Sequence, residues 1–253
     1  MKKICYLLFA FLFLMSCASK DMSSEKKDQI AVKIQQLGEV YYHSGQYTAA
    51  LKKLLEAYET IPDDPLLNNS LGLVYLAKDR YTLAETHFRK ALELKPDYLQ
   101  AKNNLGATYI KQKKWELAIK CFQDVSDNIL CPDPETSLTN LGWVYLHQGM
   151  YKQAKLYFKK ALDIKPDFLV ALHGVASIYI KRGHYSQALR FLHYNLMQNP
   201  KAAILHSDLA KTYEALKKYR QAKKSWELVV KLAPSATHLS REAKERILQL
   251  TDF

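Results

Sequence analysis

Apolar residues in this chain recur at intervals of three and four over most of its length, the spacing that gathers them on one face of an α-helix. Leu37, Val40 and Tyr41 mark one such stretch and Ala50, Leu54 and Ala57 the next, which predicts amphipathic helices joined in pairs as hairpins. The pattern itself repeats. Gly38, Gly72, Gly106, Gly142, Ala176 and Ala210 follow one another at steps of 34, 34, 36, 34 and 34 residues. Three positions after each stands a tyrosine (Tyr41, Tyr75, Tyr109, Tyr145, Tyr179, Tyr213), and six further on an aromatic (Tyr47, Tyr81, Trp115, Tyr151, Tyr185, Tyr219). Ala50, Ala84, Ala118, Ala154, Ala188 and Ala222 form a third column, and Leu54, Phe88, Phe122, Phe158, Leu192 and Trp226 a fourth. Pro62, Pro96, Pro166, Pro200 and Pro234 close five of the six segments, because proline lacks the donor a helix needs and restricts the residue before it.

These columns have a physical reading. A glycine inside a helix costs about 1 kcal/mol relative to alanine, so its return at one position implies close approach by the partner helix. The alanine column answers it from the other side, and the aromatics bury area that a single hairpin cannot cover. The set of columns resembles the tetratricopeptide repeat over residues 31 to about 236. That resemblance implies an all-α, right-handed superhelical solenoid of six helix-turn-helix units, 31–64, 65–98, 99–134, 135–168, 169–202 and 203–236, with a concave inner face. Residues 237–253 are expected to cap it: Leu239, Ala243, Ile247 and Leu250 share an apolar face, while Arg241, Glu242, Lys244, Glu245 and Arg246 face water and Glu242 pairs with Arg246 four residues on.

The first residues change the picture of where the protein sits. Lys2 and Lys3 precede an uncharged apolar run from Ile4 to Phe13, followed by Leu14-Met15-Ser16-Cys17. This resembles a bacterial lipobox, with residues 1–16 as signal peptide, Cys17 as the lipidated N-terminus and 17–30 as a flexible tether. An uncleaved signal anchor or an ordinary secretory signal is the alternative. Ala18 stands where many lipoproteins retained at the inner membrane have Asp, so by resemblance the destination is the outer membrane, facing the periplasm.

Composition narrows the class further. Eight glycines, eight prolines and seventeen tyrosines leave too few turn residues for a hairpin-rich β fold. The formal charge is +12, and the leader contributes only two lysines to it, so the body is basic. In that compartment the charge points to acidic protein surfaces, anionic glycans or lipid head groups and not to nucleic acid.

Chemistry is harder to find. There is no HExxH, paired CxxC, phosphate-binding loop, GxSxG or glycine-rich dinucleotide turn, which points away from an enzyme, a small-molecule substrate and any cofactor beyond lipid on Cys17. The eight histidines, among them His43, His147, His184 and His193, have no ligand spacing, so no metal site is expected. Cys121 and Cys131 could bond in an oxidising compartment or remain two separate thiols. Lys217, Lys218, Arg220, Lys223 and Lys224 read as a solvated basic face.

Recognition remains. By resemblance to other such repeats, the first helix of each unit lines the groove, which assigns Asn69, Leu73, Leu76, Asn103, Ile110, Lys111, Trp143, Leu146, His147, His173, Ile180 and Lys181 to a peptide-binding surface. Trp143 is the expected anchor, with packing between repeats as its other reading, and Asn104 and Asn140 are expected to be structural. A lipidated chain with six units and a proline-containing lengthening at Leu130-Cys131-Pro132-Asp133-Pro134-Glu135 resembles the pilotin-type lipoproteins of type IV pilus biogenesis, the PilF/PilW/Tgl group. That resemblance implies a protein partner, a secretin subunit, whose localisation and assembly it assists. A general envelope adaptor for peptidoglycan enzymes or other assembly machinery is the alternative, and an enzyme or glycan-binding protein using the basic face a third reading.

Overall fold

In the computed structural model, residues 24–235 and 237–250 are described. They form thirteen helices and, among the described residues, no strand. The chain divides into two compact units, one ending at Lys114 and the other starting at Trp115. The first holds α1 (24–43), α2 (Tyr47–Tyr58), α3 (Pro65–Ala77), α4 (Tyr81–Leu94) and α5 (Leu99–Lys111). The second holds α6 (Trp115–Ser126), α7 (Pro134–His147), α8 (Tyr151–Ile164), α9 (Leu169–Lys181), α10 (Tyr185–Gln198), α11 (Ala203–Ala215), α12 (Tyr219–Leu232) and α13 (His238–Gln249). This is the all-α hairpin fold that the repeat columns predict.

Local chemistry sets the helix ends. Asp64 caps α3 by accepting from the Leu67 amide at 2.6 Å, and Pro65 fills a first-turn position where no donor is needed. Thr237 caps α13 in the same way, through the Ser240 amide at 3.3 Å. Of the second helices of the hairpins, α2, α4, α8, α10 and α12 have no side-chain cap. Their entry is set instead by one left-handed residue in the turn before them, at Gly45, Asp79, Gly149, Gly183 and Lys217, and the same conformation at Lys113 ends the first unit's last turn.

Packing follows the columns. In the first unit, Ala50, Leu54 and Ala57 of α2 meet Leu67, Leu71 and Val74 of α3 in one buried cluster. A β-carbon placed on Gly38 would lie 2.8 Å from Leu54, and one on Gly72 would lie 2.6 Å from Phe88, so both glycines are sites of close helix approach. In the second unit Phe158 is fully buried among Ala154, Ala161, Ala171, Val175 and Ile178, and its ring lies against both Gly142 of α7 and Gly174 of α9. Trp226 takes the equivalent place near the C-terminal end, with Ala210, Ala222, Val229, Ala243 and Leu250.

Several expectations need correction. Residues 24–30 belong to α1, so the expected tether is helical at its end, as suits Glu, Lys and Gln in succession. Leu37 and Val40 do not face the core; they are 41% and 61% exposed. Gly38 and Tyr41 turn inward in their place, and among the described residues no hairpin precedes α1 to cover its outer side. Glu242 and Arg246 do not pair with each other: Glu242 holds Lys211 at 2.9 Å and Arg246 reaches Glu214 at 3.4 Å, both on α11. These links tie the terminal helix to its neighbour, while Leu239, Ala243, Ile247 and Leu250 pack on the Trp226 cluster. Cys121 and Cys131 are half-buried and form no disulfide. The lengthened junction is a loop over 127–133 that leaves Ile129 and Leu130 in solvent. The signal peptide and Cys17 lie outside the described residues. No helix among the described residues is long and apolar enough to cross a membrane.

Candidate functional site

In the second unit, α9 packs between α7 and α11, so first helices of successive repeats lie side by side. Trp143 of α7 is half-buried, its ring 5.4 Å from Phe158 edge-on and 5.1 Å from the His173 ring. Trp143 thus packs on the core of its own repeat and on the first helix of the next, the packing that is one of its two readings. His147 lies 6.4 Å from Trp143 and stacks on Trp115 at 6.2 Å. His173 Nδ1 meets Asp208 Oδ2 at 2.7 Å.

Asp208 is 1% exposed. Burial pushes its carboxyl above the ordinary range, although the His173 hydrogen bond and charge and the nearby Lys211 pull it the other way. The acid fixes the orientation of the His173 ring through Nδ1, the usual consequence of a carboxyl group held against one side of an imidazole. An aromatic row ending in an oriented imidazole can hold an apolar side chain and a backbone carbonyl of a protein segment.

Sequence reasoning missed Asp208, and a signal for it exists. The His173–Asp208 contact spans 35 residues, as does the Asn104–Asn69 hydrogen bond of 3.0 Å in the first unit. One residue on the first helix of a repeat thus meets the residue one place further along in the next repeat, so polar residues separated by 35 positions mark the pairs. Asn104 has a structural role through this bond.

Other assigned residues divide. Leu146 is a correction: it is 3% exposed and part of the Phe158 core, because a helix that packs on two neighbours turns that position inward. Ile180 is half-buried against the Leu172 and Leu192 cluster. Lys181 and His147 are exposed. In the first unit, Asn69 and Leu73 line a cavity of about 360 Å³ between α1, α3 and the start of α5. Leu76, Asn103 and Ile110 are half-buried and Lys111 is exposed, none of them on that cavity. Among the described residues no group of three or more His, Cys, Asp or Glu is placed to hold a metal ion.

Comparison with known proteins agrees with this architecture. The tetratricopeptide repeat model matches residues 29–97, 63–129 and 97–167, and two further models of the same repeat match 145–194 and 205–235. Among curated proteins, none matches the chain. Solved structures do. PilF of Pseudomonas aeruginosa is 23% identical, with 87% of this chain and 98% of that one covered at a TM-score of 0.63. PilW, described as a widely conserved type IV pilus biogenesis factor, is 20% identical, with 85% and 99% covered at 0.68. A tetratricopeptide repeat protein of Parabacteroides merdae is 15% identical, with 88% and 84% covered at 0.72. At these identities the likeness is one of fold. With its helical hairpins, its glycine and aromatic columns packed as described and repeat models matching more than half its length, the chain belongs to the tetratricopeptide repeat family.

Proposed function

We propose that the chain is a non-catalytic assembly factor of type IV pili, held by lipid on Cys17 at the periplasmic face of the outer membrane, where it binds secretin subunits and assists their assembly. The observation that carries this reading is the likeness in fold to two pilus proteins over nearly their whole length. The Trp143–His173–Asp208 row supports a protein segment as ligand, since it offers one aromatic face and one oriented hydrogen-bonding group. The lipobox and the lengthened repeat junction support the compartment and the group.

Deletion of the gene tests it. Secretin multimers that resist denaturing detergent should disappear, together with twitching, and return with the wild-type gene but not with Cys17→Ser. Trp143→Ala should restore few multimers at wild-type protein levels, its unfolding midpoint being measured alongside because the ring also touches Phe158. Normal multimers and normal twitching in the deletion strain would overturn the proposal.

A further inference from the structure

The cavity of the first unit carries a charge opposite to that of the chain around it. The protein is basic as a whole, at +12, yet the roughly 360 Å³ space holds two carboxylates, Glu39 and Asp64, and of basic groups only His43. Neither carboxylate faces a lysine or arginine among the described residues. Glu39 Oε1 accepts from Ser70 Oγ at 2.7 Å and from Gln35 Nε2 at 3.1 Å, and Asp64 Oδ1 is taken by the Leu67 amide. Among the described residues, the second oxygen of each has no such partner.

A further polar group is left open at the same place. Asn69 is 5% exposed and lines the cavity; its carbonyl accepts from Asn104, and its NH2 has no partner among the described residues. That NH2 opens on the cavity, where it can donate to an acceptor that enters. The rings of Tyr42 and Tyr98 form walls of the space. Burial first, and then the charges of Glu39 and Asp64, raise the Tyr98 hydroxyl above its ordinary value, so the field of both acids converges inside the cavity. Lys95 Nζ stands 5.4 Å over the Tyr98 ring, but the cavity lining itself carries no lysine or arginine, so the two acids set the sign of charge for a group that enters.

We propose that this cavity takes an arginine side chain from an extended segment of the partner protein. The guanidinium fits what is present: planar, with donors for two free carboxylate oxygens, and able to stack on tyrosine, where an ammonium would satisfy only the charge. The peptide carbonyl beside that arginine meets the Asn69 NH2. The proposal rests on the reading of the inner face as a partner-binding surface and adds the chemistry that the first unit selects.

Ligand-observed NMR titration of the full lipidated chain in detergent micelles tests it, with the blocked tripeptide acetyl-Ala-Arg-Ala-amide as probe and its citrulline counterpart as the neutral match. Citrulline keeps the shape and loses the charge. The arginine peptide should bind about tenfold tighter than the citrulline peptide. Glu39→Gln combined with Asp64→Asn should abolish that preference, since both changes keep the Ser70 acceptor and the helix cap while removing charge. Equal binding of the two peptides by the wild-type chain, binding of neither, or an undiminished preference in the double variant would overturn the inference. The peptide comparison in the wild-type chain needs no variant and so does not depend on the variant's folding. Secretin capture at Trp143 is read separately: capture without arginine preference sinks this inference alone, and arginine preference without capture sinks the proposed function alone.

Discussion

At Gly45, Asp79, Lys113, Gly149, Gly183 and Lys217 the backbone adopts φ between 57° and 77°, one such residue for each repeat. Only glycine takes this conformation without strain, and a side chain there costs about 1–2 kcal/mol, part of which is recovered because it restricts the unfolded chain. Lys113→Gly should therefore raise stability by about 1 kcal/mol and Gly149→Ala lower it by about 1 kcal/mol, measured by denaturant unfolding. No atom lies within 4 Å of a β-carbon built on Gly149, so a loss there reports backbone strain and not a clash. His87 supplies the pH dependence. It stacks on Tyr75 at 5.4 Å, meets Tyr58 edge-on at 5.7 Å and pairs with Asn68, and burial lowers its pKa below the ordinary 6.5. Since the unfolded imidazole takes up a proton first, this contribution is complete above pH 6.5 and is lost as pH falls through the lowered folded value. Comparing unfolding free energies at pH 7.5 and 5.5 should show a loss on acidification that is smaller in His87→Phe.

Among the helices, each pair is held by one large residue on its second helix. Phe158 fills the space that Gly142 and Gly174 leave, so Phe158→Ala should cost about 3–5 kcal/mol, because backbones already in close approach cannot move to fill the void. The terminal helix acts as a lid on the last such cluster. Removing residues 237–253 uncovers Trp226, Val229 and Ala210, and should lower the unfolding midpoint and produce self-association visible by light scattering; an unchanged monomer with an unchanged midpoint would contradict this. These helices were legible in the sequence because the columns that encode them, Gly72 against Phe88 or Gly142 against Phe158, are contacts inside one repeat. Much less of the candidate site was legible. Periodicity fixes which face of a helix is apolar, but not which of two apolar neighbours at its edge is covered, so Leu146 was placed in the groove and belongs to the core. Asp208 was passed over because its partner stands on another repeat, and a short polar residue in a helix reads as solvent-facing until that neighbour is in place. Leu37 and Val40 misled for the opposite reason: α1 keeps apolar positions that no preceding hairpin covers among the described residues.

For the molecule as a whole, two compact units each present a different chemistry on their first helices. The unit ending at Lys114 has a cavity bearing Glu39 and Asp64, and the unit starting at Trp115 has an aromatic row ending at His173 and Asp208. Because each repeat draws its stability from its immediate neighbours, a substitution in one unit should leave binding at the other intact. Double-variant measurements check this: Trp143→Ala should not change the arginine preference of the first unit, and loss of that preference would show coupling between the two. The most direct measurement is photo-crosslinking in cells from a benzoylphenylalanine placed at position 143, with the same probe at exposed position 152 on α8 as the control. The account predicts a covalent adduct with one protein, a secretin subunit, at 143 and none at 152. Equal adducts at both positions, or no adduct at 143 in a folded chain, would contradict it.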